Sequence, residues 1–162
     1  MGIIRNGICG TYVWELDDEK TLTIRPQDGK SGIVAKDEYG RWPWQPYCHI
    51  RKVVIEDVVK TGAYAAAMFA GMRDCTEFDV SELDVSSAEN MRGMFEGCRS
   101  LTSVKGMEKW NVSKAADISG MFNGCSSLTD ISSLEKWDVS NAADMSCMFK
   151  GCKSLTDISA LA

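Results

Sequence analysis

The sequence predicts an α/β fold, a solenoid of about five short parallel strands that alternate with short helices. The first observation is a recurring Met-Phe-x-Gly motif, whose methionines stand at Met68, Met94, Met121 and Met148, 26, 27 and 27 residues apart. A fixed period of roughly 20–50 residues is typical of stacked repeats. The second observation is an apolar pattern that precedes each copy and begins at residues 50, 75, 101, 128 and 155.

Composition and charge narrow the function classes. The chain has 162 residues, of which 44% are hydrophobic, and a formal net charge of −5. This acidic balance argues against nucleic acid as a partner. The chain has no apolar run of about 18 residues, so no membrane insertion is expected. The N-terminus, Met1 to Asn6, shows no signal peptide.

Residues 1–49 do not repeat and are predicted to form an N-terminal cap. Residues 12–16 and 21–25 alternate in polarity and predict a β-hairpin. Trp42, Trp44 and Tyr47 stand beside two prolines. Because a stack of repeats exposes an apolar end, we expect these aromatic side chains to cover the first repeat. The alternative is an exposed aromatic platform for a sugar or a peptide.

Residues 50–162 are predicted to form the repeat array, with a period of 25–27 residues. In each copy the pattern Leu-x-x-Leu-x-Leu indicates a strand whose apolar residues face inward. Ser86 is a good helix N-cap, and the residues Met91, Met94, Phe95 and Cys98 then form one apolar stripe. The sequence therefore predicts a helix of about ten residues that ends near Gly97.

Side chains between the inward positions are predicted to face outward and to form a polar sheet face. This face is a candidate binding surface, although the same pattern fits a purely solvated face. The candidate binding residues are Thr76, Thr102, Thr129, Thr156, Ser103, Asp130 and Asp157, together with Trp42, Trp44 and Tyr47 of the cap.

Repeated polar residues are interpreted as structural. The two series are Asp84, Asn111 and Asp138, and Asn90, Asp117 and Asp144. Their repetition predicts hydrogen bonds to backbone groups in turns. A repeated calcium site is the alternative, because calcium requires clustered oxygen ligands.

The seven cysteines contain no Cys-x-x-Cys pair, and His49 is the single histidine. A zinc site is therefore not expected, and neither is any other cofactor. Cys98, Cys125 and Cys152 share one repeat position and are predicted to be buried free thiols. No nucleophile motif or phosphate-binding loop is present, so no enzymatic activity is expected.

The segment from Trp137 to Ile158, with its in-register copies over residues 50–162, resembles the BspA-like leucine-rich-repeat surface proteins of bacteria. It is similar to the subgroup first noticed in Mycoplasma lipoproteins, a domain of unknown function. The resemblance implies a leucine-rich-repeat-like solenoid, a cell-surface or secreted location, and a role in adhesion or protein recognition. It brings no catalytic residues.

The leading hypothesis is thus a non-enzymatic protein-interaction or adhesion module of a bacterial surface protein. The alternative is a glycan-binding module that uses Trp42, Trp44 and Tyr47. The expected partner is a protein or a glycan. An end-to-end homodimer through the uncapped C-terminal coil is a further hypothesis.

Overall fold

The computed structural model describes residues 1–28, 30–47 and 49–161. Ala162, the last residue of the predicted array, lies outside these residues. Seven strands are described, namely β1 (Ile3–Cys9), β2 (Tyr12–Asp17), β3 (Thr21–Pro26), β4 (Lys52–Ile55), β5 (Val59–Lys60), β6 (Glu77–Asp79) and β7 (Leu83–Asp84). The helical elements within the described ranges are three 3₁₀ turns, at Met107–Lys109, Ser132–Leu134 and Ser159–Leu161.

The main sheet is mixed and has the order β1-β2-β3-β4-β6. Its first three strands are antiparallel, whereas β3, β4 and β6 run parallel to one another. The predicted hairpin is confirmed as β2 and β3, which pair from Tyr12 with Pro26 to Leu16 with Leu22. In the hairpin turn the Asp17 carboxylate accepts the Thr21 backbone N–H at 2.8 Å. A separate parallel pair joins β5 to β7.

The predicted fold class is wrong. The structure is mostly sheet, without any helix of seven or more residues in its described ranges, so it is not a leucine-rich-repeat-like α/β solenoid. The strands predicted from residues 101, 128 and 155 do not form either, and one isolated bridge joins Asp79 to Lys105. At the next position, the N–H groups of Thr129 and Asp130 both reach the single carbonyl of Thr102, at 3.1 and 3.2 Å. The Arg51 carbonyl is shared in the same way by the N–H groups of Thr76 and Glu77, at 3.1 and 3.4 Å, but there a ladder between β4 and β6 follows.

The helices fail to form because each apolar stripe contains a left-handed residue directly before its methionine. A left-handed residue interrupts a right-handed helix. These residues are Ala67 with a φ of 57°, Gly93 with 58°, Gly120 with 59° and Cys147 with 56°. The segments are consecutive turns instead, closed by bonds such as that from the Met94 N–H to the Met91 carbonyl at 3.3 Å.

Four such segments lie one over another, and we call residues 65–71, 91–97, 118–124 and 145–151 the turn stack. Alternate backbone N–H groups of each segment donate to carbonyls of the next segment. One column contains the bonds from Phe69 to Met94, from Phe95 to Met121 and from Phe122 to Met148, each of 2.9 Å. Three further columns run parallel to this one and contain N–H to carbonyl hydrogen bonds of 2.7–3.0 Å between the same segments. The backbone is therefore hydrogen-bonded between repeats rather than along a helix.

Equivalent phenylalanine rings lie over one another in the core. The ring centroids are 5.6 Å apart from Phe69 to Phe95, 5.5 Å from Phe95 to Phe122 and 5.7 Å from Phe122 to Phe149. The first three rings are at most 1% exposed, and Phe149 is partly buried. The spacing of the Met-Phe motif thus predicted the stacking correctly, although it predicted the wrong backbone conformation.

Cysteines line the same core, and the six that the structure describes are free. The thiols of Cys98, Cys125 and Cys152 donate to phenylalanine carbonyls of the preceding segment at 3.1–3.2 Å. Cys98 and Cys125 are fully buried, whereas Cys152 is partly buried. Burial raises the pKa of Cys125 to about 12. The prediction of buried free thiols is therefore confirmed for Cys98 and Cys125.

Two tryptophans cover the first segment of the turn stack, as predicted. The indole N–H of Trp42 donates to the Ala66 carbonyl at 2.9 Å, and that of Trp44 donates to the Met68 carbonyl at 2.7 Å. The Trp44 ring also stacks on Phe69, with centroids 6.4 Å apart. In the second segment the equivalent carbonyls, those of Arg92 and Met94, accept backbone N–H groups of the first segment. The two indoles therefore give the first segment the donors that a preceding segment would give it.

Candidate functional site

The predicted polar face exists, and its seven repeat residues are all exposed. We call the surface formed by Thr76, Thr102, Thr129, Thr156, Ser103, Asp130 and Asp157 the threonine face. The Thr76 N–H donates to the Arg51 carbonyl at 3.1 Å, and the Thr129 N–H donates to the Thr102 carbonyl at 3.1 Å. These bonds place Thr76 next to Arg51 of the preceding repeat, and Thr129 next to Thr102.

A groove lies at the sheet end of this face, with a volume of about 280 Å³. Its walls are Lys52, Thr76, Glu77, Phe78, Asp79, Ser103 and Lys105. Phe78 is buried beneath it, at 3% exposure, and the other six residues are polar. The sequence analysis placed Thr76 and Ser103 on the binding face but did not include Lys105 or Asp79. Asp79 lies on β6, and Lys105 is its bridge partner. Pairing of these two residues is the feature that would have added them to the binding face.

Two ion pairs cross the groove and fix its charge pattern. Lys52 Nζ lies 3.1 Å from Glu77 Oε2, and Lys105 Nζ lies 2.6 Å from Asp79 Oδ2. The hydrogen bond from Lys105 lowers the pKa of Asp79, with help from Ser81, and the same bond raises the pKa of Lys105. Exposed pairs of this kind contribute little to stability. They do present alternating charge to an approaching partner.

Asp130 and Asp157 serve their own turns as well as the threonine face. The Asp130 carboxylate accepts the Ser132 N–H at 2.9 Å, and the Asp157 carboxylate accepts the Ser159 N–H at 2.9 Å. These backbone bonds, with the adjoining serine hydroxyls, lower the pKa of both aspartates. The two residues form a turn-bonding series that the sequence analysis did not recognise.

The two series that were predicted to bond backbone groups do so. Each of their six side chains accepts the backbone N–H two residues further on, at 2.8–3.1 Å. Asp84 is an example, since its carboxylate accepts the Ser86 N–H at 2.9 Å. The hydrogen bonds from the Ser86 hydroxyl and N–H lower the pKa of Asp84. Within residues 1–28, 30–47 and 49–161, no three acidic, histidine or cysteine residues group as metal ligands would.

The aromatic residues of the alternative site are placed differently. Trp42 is 1% exposed and Trp44 is fully buried, with both indole N–H groups occupied by backbone carbonyls. Tyr47 is partly buried and lies against Trp14, with ring centroids 5.7 Å apart. The two tryptophans therefore offer no ring face to a sugar, and the exposed platform of the glycan alternative is not formed. His49 lies on the surface, with its Nδ1 2.8 Å from Asp74 Oδ2.

Comparison with protein families gives one match. The model of the family described as Mycoplasma protein of unknown function, DUF285, matches residues 64–161, which is more than half of the chain. The chain belongs to this family. The DUF285 region contains the whole turn stack and all of the threonine face. It leaves out the hairpin, the two capping tryptophans and β4, which precede residue 64.

Two further comparisons give no match, one with curated proteins and one with solved structures. The family description assigns no activity, so the family places no functional residue on the DUF285 region. Among the described residues, no helix is both long enough and apolar enough to span a bilayer.

Proposed function

We propose that the chain is a non-enzymatic interaction module that binds a protein partner through the threonine face. The observation that carries the proposal is a set of exposed threonines, one in each repeat, beside a groove with two ion pairs, Lys52–Glu77 and Lys105–Asp79. The resemblance to BspA-like surface proteins supports an adhesive role at a bacterial cell surface. Here that resemblance concerns role and location, not fold.

The physical chemistry of this face suits protein recognition. Threonine and serine side chains are short, so ordering them at an interface costs less conformational entropy than ordering lysine or glutamate side chains. The two paired lysines and their carboxylates can exchange intramolecular partners for groups of opposite sign on a protein. Electrostatic complementarity of this type favours specific partners and fast association.

The threonine face also contributes little to the core, so it can be altered without unfolding the chain. Surface substitutions away from buried groups usually change stability by less than about 0.5 kcal/mol. Thr76 and Thr102 have exposed side chains, and their backbone groups alone take part in the pairing of repeats. A large cationic side chain at either position would block the face while the fold is retained.

The experiment is a binding screen followed by two substitutions. Immobilised fibronectin, fibrinogen and laminin, and a glycan array as comparison, are exposed to the wild-type chain. We expect binding to a protein probe that Thr102→Arg weakens by about tenfold or more, a typical loss for an obstructed contact. The matched control is Ser87→Arg, an exposed turn position outside the threonine face. Lack of binding to every protein probe, or equal binding by Thr102→Arg, contradicts the proposal.

A further inference from the structure

A second cleft lies in the N-terminal part of the chain, outside the DUF285 region. It opens between β1, the turn that joins β2 to β3, and the residues that precede β4. Its volume is about 280 Å³, and it is lined by Ile4, Arg5, Leu16, Lys20, Tyr47 and Ile50, with Pro46 and His49 at the sides. Clefts that bind small molecules usually begin at roughly 300 Å³, so this one suits a small ligand. We call it the N-terminal cleft.

The floor of the N-terminal cleft is apolar and preformed. Leu16 is 3% exposed and Ile50 is fully buried, so the apolar surface that a ligand can reach belongs to Ile4, Pro46 and Tyr47. Tyr47 is held by its contact with Trp14. A ligand therefore finds an apolar surface that is already in place, and little conformational entropy is lost when it binds.

Two cationic side chains from different elements also line the cleft. Arg5 belongs to β1, and its guanidinium donates one hydrogen bond to the Ile4 carbonyl at 2.7 Å. Since a guanidinium has five N–H donors, Arg5 retains donors for a ligand. Lys20 ends the hairpin turn in a left-handed conformation, with a φ of 69°.

Of the acidic residues Asp17, Asp18 and Glu19 at the hairpin turn, the first two accept backbone N–H groups and Glu19 is exposed. Asp17 accepts the Thr21 N–H at 2.8 Å, and Asp18 accepts the Gly2 N–H at 3.1 Å. The lining of the cleft contains no carboxylate. The charged side chains that line the cleft are therefore the cations Arg5 and Lys20, whereas the carboxylate of Asp74 lies at its side, with Oδ2 2.8 Å from His49 Nδ1.

We propose that the N-terminal cleft binds a small organic carboxylate with an apolar body, of the arylacetate type. The aryl group would lie on Ile4, Pro46 and Tyr47, and the carboxylate would accept hydrogen bonds from Arg5 and Lys20. Charge-assisted hydrogen bonds to a carboxylate are stronger than neutral ones. This inference is independent of the threonine face, because no residue is shared between the two surfaces.

The test is an NMR titration of the ¹⁵N-labelled chain with phenylacetate at constant ionic strength. We expect saturable shifts of the amides that line the cleft and a Kd on the order of 1–10 mM, as a ligand of about ten non-hydrogen atoms allows. Phenylacetamide, which lacks the charge, and acetate, which lacks the ring, should each bind at least about fivefold more weakly. Shifts elsewhere, no saturable shift, or equal binding of phenylacetamide would overturn the proposal.

Substitutions separate the charge contact from general effects on the fold. Lys20→Gln and Arg5→Gln should each raise the Kd for phenylacetate by about fivefold, the equivalent of one modest ion pair. Lys136→Gln, an exposed lysine in the C-terminal half, is the matched control and should leave the Kd unchanged. The amide spectrum of each variant reports whether it is folded. If folded Lys20→Gln and Arg5→Gln bind phenylacetate as tightly as the wild type, the assignment is wrong.

Discussion

Replacing Phe122 by alanine removes the central ring of the turn stack. The ring lies between those of Phe95 and Phe149, with centroid distances of 5.5 and 5.7 Å and an interplanar angle of 2° on both sides. It is 1% exposed. Phe→Ala changes in cores cost about 3–5 kcal/mol of unfolding free energy, which includes the cavity that is left.

The upper half of that range, about 4–5 kcal/mol, is expected here. The neighbouring segments are held apart by columns of backbone hydrogen bonds, such as that from the Phe122 N–H to the Met148 carbonyl at 2.9 Å. These columns keep the cavity from collapsing. In addition, each stacked aromatic pair contributes roughly 0.5–1.5 kcal/mol beyond its buried area, and two pairs are lost.

The measurement is equilibrium unfolding in urea, followed by both circular dichroism and tryptophan fluorescence. At about 2–4 °C per kcal/mol for a chain of this size, the melting temperature should fall by roughly 8–20 °C. Phe149→Ala is the matched control, because Phe149 is partly exposed and stacks on one ring of the turn stack. It should cost about half as much. Equal losses in the two variants, or a loss below about 2 kcal/mol for Phe122→Ala, would refute the reasoning.

Three further outcomes are expected, each measured by urea unfolding. Gly106→Ala should destabilise far more than Gly97→Ala, because a Cβ at Gly106 would lie 2.4 Å from backbone atoms, whereas one at Gly97 meets nothing nearer than 3.9 Å. For Gly97→Ala we expect a loss of about 1–2 kcal/mol of unfolding free energy, the cost of holding an alanine in the left-handed conformation. Trp44→Phe should cost about 1–3 kcal/mol, since a buried carbonyl of the first segment loses its donor. Stability should also fall as the pH rises from about 9 to about 12, because burial raises the pKa of Cys75 and Cys125 to about 12 from 9.0. In that window the unfolded chain releases protons that the folded chain retains, which costs about 1.4 kcal/mol per pH unit for each thiol.

Each of these outcomes has a control. Similar losses for the two glycine variants would contradict the close approach of Gly106. A Trp44→Phe variant as stable as the wild type would mean that the indole N–H does not matter. The alkaline slope, measured with a reductant present, should decrease in the double variant Cys75→Ala/Cys125→Ala. An unchanged slope in that variant would assign the alkaline loss of stability to other groups.

The features that could be predicted from the sequence are those that depend on spacing alone. The period of the Met-Phe motif predicted that equivalent rings lie over one another, and Phe95 and Phe122 do so. Repetition of aspartate and asparagine predicted bonds within turns, and Asp84 is one of six that make them. Outward positions such as Thr102 are exposed as predicted.

Backbone conformation could not be read from the same pattern. Apolar residues at i, i+3, i+4 and i+7 fit a helix, but they fit stacked turns equally well when every second N–H bonds to the next segment. Gly93 lies inside the predicted helix and argued against it, since an interior glycine lowers helix stability by about 1 kcal/mol relative to alanine. Strand β1 was also missed, because its exposed Ile4 and Ile8 follow no alternating pattern across the irregularity near Arg5.

The candidate surfaces depended on tertiary contacts that spacing does not encode. Lys105 enters the groove by an ion pair to Asp79, 26 residues away in the sequence. The N-terminal cleft brings Arg5 together with Lys20 and Tyr47, which belong to three separate elements. Pairing of this kind becomes visible when the sheet order is known.

The columns of the turn stack also give the molecule an electrical direction. Every peptide unit in them points the same way, so their dipoles add as they do along an α-helix. The partial positive pole lies at the N–H groups of Met145, Cys147, Phe149 and Gly151, for which the described part of the chain supplies no acceptor. The partial negative pole lies at the other end of the columns, where the indole N–H groups of Trp42 and Trp44 donate to the carbonyls of Ala66 and Met68.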